Sequence, residues 1–238
     1  MNIEIPTIHK ISSMKKLLSL ILFLSTCTQL DAQKIEDALV RETTQLSDST
    51  FRLIEKNREN DTIILGMLSS INPEIKDGEF TFFDNNGLME AKGRYSKNVM
   101  SGIWTFYNKQ GIILKEIDYD KPVKLLVSNM DEYKDDFVVV EESPVYSNKK
   151  YESIHKYIED NLNYPPYPRI LNIKGKVMVL FTIDENGSVC RISVMQGTEN
   201  LDLNLEAVRV VAESGQWKSG IQRNKPVPVK QYVFVTFK

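Results

Sequence analysis

Gly78-Glu79-Phe80-Thr81-Phe82-Phe83 and Gly102-Ile103-Trp104-Thr105-Phe106-Tyr107 are one hexad written twice, 24 residues apart (102 − 78). The same offset joins Gly87-Leu88 to Gly111-Ile112 (111 − 87) and Tyr95 to Tyr119 (119 − 95). A constant offset that matches glycine with glycine and aromatic with aromatic marks a structural repeat. A looser copy lies upstream, where Gly66-Met67-Leu68-Ser69 parallels Gly93-Arg94-Tyr95-Ser96. Each hexad is a strand, because Thr and aromatic side chains suit a pleated surface. Asp84-Asn85-Asn86-Gly87 and Asn108-Lys109-Gln110-Gly111 are turns, since Asn and Gly tolerate positive φ. A second strand then runs to about Tyr95. Each unit is a β-hairpin, and a lone hairpin is marginal in water. The units are therefore expected side by side in one meandering antiparallel sheet. Phe80, Phe82, Trp104 and Phe106 are expected in its core and on its face, with an aromatic binding face as the alternative. Thr50–Lys56 could be a strand leading into the sheet.

Beyond the charged stretch Asp131-Glu132-Tyr133-Lys134-Asp135-Asp136 the periodicity changes. Tyr151, Ile154, Ile158 and Leu162 recur at helical spacing. That helix must stop before Tyr164-Pro165-Pro166-Tyr167-Pro168, because proline neither continues a helix nor favours one before it. Residues 176–184 alternate, with Val177, Val179, Phe181 and Ile183 on one face and Met178, Leu180 and Thr182 on the other. Asp184-Glu185-Asn186-Gly187 is a hairpin turn, and residues 189–195 return with Cys190, Ile192 and Val194 expected on one face. Leu201, Leu205, Val208 and Ala212 stripe a second helix, which Asp202 suits at its positive end and Gly215 terminates. Trp217 is expected against the sheet. Residues 227–237 form the last strand, with Val227, Val229, Val233, Val235 and Phe237 on one face and Tyr232 and Phe234 on the other. Pro226 and Pro228 cannot donate to a ladder and place its start at a sheet edge.

The fold class is α+β: an antiparallel β-hairpin-repeat sheet, then a two-helix, three-stranded antiparallel domain. The expected division is a leader at 1–32, the repeat domain at 33–120, a linker at 121–136 and the terminal domain at 137–238. In the leader, Met14-Lys15-Lys16 precedes a short apolar run and Leu30-Asp31-Ala32-Gln33, the pattern of an export signal. Translation could begin at Met1 or at Met14. Cleavage after Ala32 is the first expectation. Lipidation at Cys27, in the lipobox-like Leu24-Ser25-Thr26-Cys27, and a retained anchor are the alternatives.

Composition narrows the function. Net charge is −2 over 238 residues, so no basic surface for a nucleic acid is expected. Cys190 has only the leader's Cys27 as a possible mate, and His9 and His155 are too few for a typical zinc site. There is no Gly-rich phosphate loop or nucleophile elbow. A protein that is not an enzyme, with no cofactor and no metal, is expected.

The hairpin units resemble MORN-type repeats over residues 62–120, which implies a β-sheet platform and no particular ligand. The terminal hundred residues carry, in order, Asn163-Tyr164-Pro165, Gly175-x-Val177, Phe181-x-Ile183, Asn186-Gly187-x-Val189, Leu201-Asp202, Ala207, Trp217, Gly220, Lys225-Pro226-Val227 and Phe237. That ordered set resembles the carboxy-terminal domain of TonB energy transducers. Val140-Glu141-Glu142-x-Pro144 resembles the lead-in of Bacteroidetes-type members, and Ser219 departs from the proline often found before Gly220. The resemblance implies a periplasmic protein that takes the extended amino-terminal segment of an outer-membrane TonB-dependent transporter onto its sheet edge. It makes Asn163, Tyr164, Pro165, Val227, Val229, Gln231, Tyr232 and Phe234 the contact candidates. Other readings are a helix stop with a packed ring for Tyr164 and Pro165, and packing against the first helix for Tyr232 and Phe234. Inner-membrane motor proteins and a homodimer are further partners to test. Two transducer features are missing: a long Pro-rich spacer and a His within the apolar leader. The competing expectation is a periplasmic scaffold that associates through its repeats and sheet edge.

Overall fold

Seven strands follow one another and pair in that order: β1 (Val40–Ser47), β2 (Thr50–Lys56), β3 (Thr62–Ile71), β4 (Glu74–Phe83), β5 (Met89–Ser96), β6 (Val99–Tyr107) and β7 (Ile113–Asp118). All pairings are antiparallel. The structure is a computed structural model and describes residues 39–122 and 140–238. The leader and most of the expected linker lie outside the described residues.

The repeat turns are built identically. In each, the first residue's N–H donates to the carbonyl four residues on: Asp84 to Leu88 at 2.8 Å and Asn108 to Ile112 at 3.0 Å. Its Oδ1 also accepts two backbone N–H bonds, from Asn86 and Leu88 or from Gln110 and Ile112. Asn57 builds the same turn between β2 and β3, with Asn60 at φ 70° where the later copies have glycine. The looser upstream copy is thus a real one, displaced by 27 residues (84 − 57 and 93 − 66).

The shared glycines make room for rings. A Cβ on Gly66 would lie 2.3 Å from the Phe80 ring, and one on Gly93 would lie 2.2 Å from Trp104. Each ring lies flat across the backbone of the preceding repeat. Phe80, Tyr95, Trp104 and Tyr119, all fully buried, then meet edge to face with centroids 4.9, 5.2 and 6.5 Å apart. Such contacts add about 0.5–1.5 kcal/mol each beyond area burial.

The terminal part starts with β8 (Val145–Tyr146), then α1 (Ile154–Asn161) and a short α2 (Pro166–Ile170). There follow β9 (Gly175–Ile183), β10 (Val189–Gln196), α3 (Leu201–Ala212), β11 (Trp217–Lys218), β12 (Gly220–Gln222), β13 (Lys225–Val227) and β14 (Val229–Phe237). Ser153 caps α1 through the Lys156 N–H, and Asn200 caps α3 through the Leu203 N–H. The main sheet has the order β10-β9-β14. Its inner face (Val177, Val179, Phe181, Ile183, Val233, Val235 and Phe237) is buried together with Tyr157 and Ile158 of α1 and the apolar side of α3. The two longer helices therefore share one core with this sheet. The prolines that end α1 also begin α2, since proline is tolerated in a first helical turn.

Three expectations need correcting. Cys190 does not share a face with Val194, because Cys190 pairs with Thr182 and Val194 with Val179. Arg191, at φ 47°, inserts a bulge that flips the phase between them. Val227 is not in the last strand. Pro228 has no N–H, so the long ladder restarts at Val229 while Val227 pairs with Gly220 in a small hairpin. Tyr232 and Phe234 do not pack on the first helix, because they stand on the sheet face opposite the helices.

Helix α3 is buried on two sides. Leu203, Ala207, Val208, Val210 and Val211 join the three-stranded sheet, while Leu205 joins the core of the seven-stranded one. Val40–Lys238 is accordingly one unit.

Candidate partner-binding edge

β14 is an edge. It pairs with β9 in one unbroken register, from Val229↔Ile183 to Phe237↔Gly175, and among the described residues no strand flanks its other side. Alternating β-branched and aromatic residues explain its regularity. The opposite edge is built differently. β10 meets β9 with two register shifts and carries a positive φ at Arg191, a distortion that blunts pairing with another chain. β1 is shifted near Gln45/Ser47, and β7 is six residues with Lys115 and Glu116 in it. Among the described sheet edges, β14 is the long, flat and regular one.

Its outer face is apolar and uncovered. Tyr232 is 64% exposed and Phe234 37%. Their rings meet edge to face at 6.0 Å, and Lys176 Nζ lies 3.8 Å from the Phe234 centroid. One strand inward, Met178 stands across from Phe234 and Leu180 across from Tyr232, both half-buried.

The eight sequence candidates separate into groups. Val229, Gln231, Tyr232 and Phe234 lie on β14 itself, Val229 and Gln231 on its inner side. Val227 stands one hairpin away. Asn163, Tyr164 and Pro165 lie apart from that edge strand's outer face. Asn163 is buried, its N–H donating to Glu206 Oε1 at 2.6 Å and its side chain to the Tyr119 hydroxyl at 3.4 Å. The Tyr164 hydroxyl donates to the Ile173 carbonyl at 2.6 Å, and its ring lies against Phe237 at 5.4 Å. Pro165 is buried and caps α2.

Asn163 belongs to a polar network that ties the seven-stranded sheet to α3. Tyr95 and Tyr119, the matching tyrosines of successive repeats, donate to Asp202 Oδ2 at 2.7 Å and Glu206 Oε2 at 2.8 Å. Lys76 Nζ lies 3.5 Å from Asp202 Oδ2, between the rings of Tyr95 and Tyr167 at 4.1 and 4.0 Å. Arg209 bonds both oxygens of Glu206, at 2.7 and 2.8 Å, and also Glu213 and the Asn161 carbonyl. Arg169–Glu90 bridges α2 to β5 further out, and Arg41–Glu74 ties β1 to β4 within the seven-stranded sheet. Burial pushes the Asp202 carboxyl up, against the pull of Lys76 and Tyr95, and pushes the Lys76 ammonium down. Burial dominates over mutual attraction in this loosely spaced pair. Asp202 Oδ1 has no hydrogen-bond partner among the described residues.

Sequence reading found Tyr95 and Tyr119 as repeat markers and took Asp202 as a dipole partner. It missed Lys76, Glu206 and Arg209, because charges opposite an apolar stripe resemble a solvated face. The available signal was that two carboxylates four residues apart accompany two tyrosines one repeat apart.

The terminal α+β unit thus presents, among the described residues, one long regular strand with no described neighbour on its outer side, beside an exposed aromatic pair. Residues 160–238 match the family model for the Gram-negative bacterial TonB protein C-terminal. No curated protein matches the chain. Among the described residues there is no group of side chains able to hold a metal ion, and no helix long and apolar enough to cross a membrane.

Proposed function

We propose that this chain is an exported, TonB-like periplasmic protein that binds the amino-terminal segment of an outer-membrane TonB-dependent transporter by strand addition to β14. The observation that carries this is the free, bulge-free β14 edge, within a segment that matches the TonB carboxy-terminal family. In strand addition, main-chain hydrogen bonds supply affinity and alternate side-chain positions supply specificity. The role is binding and not catalysis. Asn163 and Pro165 act from inside, seating α3 and α2, while β14 meets the partner. The seven-stranded sheet, read as MORN-like, is a rigid platform for that edge. Transduction of energy from inner-membrane motor proteins requires a retained leader.

Amide exchange of the full chain, with and without a transporter's amino-terminal peptide, tests this. Alternate amides of β14 should gain protection. Protection confined to β1, β7 or β10, or found nowhere, would sink the reading.

A second reading, self-association as a scaffold, is favoured by one observation. Ile112, Ile113 and Leu114, at the β7 edge, are all more than half exposed. Sedimentation of the full chain should then show a dimer that Leu114→Asp dissociates.

A further inference from the structure

The seven-stranded sheet has a second face, turned away from α3, and its charges are sorted by strand. The ladders put Lys92, Thr105 and Glu116 in one row across β5, β6 and β7, and Ile103 beside Asp118 in the next. Arg94 stands two residues from Lys92 on the same face, across from Glu79. The alternate residues Tyr95, Trp104 and Ile117 are buried on the α3 side. On the outer face β5 is therefore basic and β7 acidic, while β6 between them is neutral, with Ile103, Thr105 and Tyr107. Neither Lys92 nor Arg94 has an ion pair among the described residues. Asp118 makes a loose, exposed contact with Lys121 at 3.7 Å, and Glu116 accepts the Thr105 hydroxyl at 3.3 Å. Ile103 is 62% exposed in the middle of this face, where the preceding repeat has Glu79 (103 − 24). Beside it a hollow of about 260 Å³ opens over β5, with Lys92, Arg94 and Thr81 in its lining.

Basic, neutral, acidic is a self-complementary order. A half-turn about an axis along β6 lays β5 of one copy over β7 of the other, and leaves every row at its own height along the strands. Lys92 and Arg94 of each copy then face Glu116 and Asp118 of the other, whose carboxylates enter the hollow. The two Ile103 side chains meet at the axis. The strands of the two sheets stay aligned, a common way for sheets to stack, about 10 Å apart. A half-turn about an axis across the strands sets β5 on its own copy instead, and the like charges of Lys92 and Arg94 disfavour it. We propose that this outer face pairs with a second copy of the chain in a face-to-face, two-fold dimer whose cross-copy ion pairs join β5 to β7. The proposal rests on the self-association reading and gives it a surface and a symmetry. Ile113, across from Tyr107, extends the same face to the exposed end of β7. β14 lies in the other sheet and takes no part. Four strands about 4.8 Å apart and six residues long make a face of roughly 19 by 20 Å, so the dimer belongs with small, weak and salt-dependent interfaces.

Sedimentation of the full chain tests this with two charge variants. Lys92→Glu with Arg94→Glu makes both flanking strands acidic, and Glu116→Lys with Asp118→Lys makes both basic. Each pair occurs twice in a two-fold interface, so either variant alone should self-associate at least about tenfold more weakly than the wild type. Mixed in equal amounts, the two variants should form a heterodimer, because each basic strand then meets an acidic one. Ile103→Ser, which changes no charge, should weaken the wild-type dimer by a similar factor. The wild-type dimer should also weaken as salt rises from about 0.05 M to about 0.5 M. The substituted side chains are at least partly exposed, and circular dichroism of each variant checks its fold. A wild-type dimer that survives both charge variants overturns the face-to-face dimer and leaves self-association standing through another surface. Failure of the two folded variants to pair with each other overturns it as well. A wild type that stays monomeric at every concentration reached overturns the self-association reading and this proposal together.

Discussion

Gly93 has an ordinary backbone conformation, yet no other residue fits there. A methyl group would lie 2.2 Å from the Trp104 ring, inside a sheet whose neighbouring aromatics are already in contact. Gly93→Ala should therefore cost about 1–3 kcal/mol through overpacking, and Gly66→Ala, under Phe80, a similar amount. Urea unfolding followed by Trp fluorescence reads both. Gly87, whose position is open and whose φ is 73°, should tolerate Ala better in packing terms and suffer only from its backbone conformation. Asp202 is the other decisive residue. Asp202→Ala strands the Lys76 ammonium beside two rings and removes the acceptor of Tyr95, and should cost about 3–5 kcal/mol. The double change Lys76→Met with Asp202→Leu removes both charges and should restore most of that loss, because a buried ion pair is often no better than an apolar one. If the double variant is as unstable as the single one, the pair contributes more than its desolvation costs.

Elements were legible where one period dominates. The α3 limits, β9 with the turn that follows it and the hexad strands were readable because each follows one period beside Asn, Asp or Gly turn chemistry. The last strand is at an edge as expected, although Pro226 and Pro228, on which that expectation rested, lie before β14 and not in it. What failed did so for local reasons. The bulge at Arg191 depends on one positive φ that no residue type announces. β1 is exposed along its whole length and carries no apolar alternation, so it is held by the β2 ladder and by ion pairs such as Arg41–Glu74. Part of the candidate site was readable: alternation isolates Tyr232 and Phe234, whereas the inward commitment of Asn163 depends on Glu206 and Tyr119, 43 and 44 residues away in sequence. Capping gives an independent test at this scale. Asn200 accepts the Leu203 N–H at 3.1 Å, and Asn200→Ala should cost about 1 kcal/mol, read as a fall in the urea midpoint with an unchanged slope.

Val40–Lys238 behaves as one unit because polar groups of the seven-stranded sheet meet those of α3, whose apolar side packs on the other sheet, and that has a pH signature. Burial holds the hydroxyls of Tyr95 and Tyr119 well above their usual range, raises Tyr167, and pushes Tyr157 up to about 12. A group whose folded pKa is raised contributes stability that is complete below its unfolded pKa and is lost as pH rises through the folded one. Stability should thus fall steeply above about pH 10, where unfolded tyrosine begins to ionise. Lys76 and Lys115, whose pKa values burial lowers, act in the opposite sense but are outnumbered. Urea melts between pH 8 and 11 should show the decline, and Tyr119→Phe should make it shallower. A flat profile would mean that the tyrosines are hydrated. The pairing of Tyr95 with Asp202 and Tyr119 with Glu206 has a further consequence. In most repeat arrays copy number drifts freely, since a unit meets only its neighbours. Here two hairpins are gauged against two turns of one helix, and four residues past Glu206 stands Val210, an apolar residue committed to the other core. A longer array would bring a tyrosine to a place with no acceptor. Helix α3 is in effect a gauge: the four-residue spacing of Asp202 and Glu206 fixes where the tyrosines of the last two hairpins must fall.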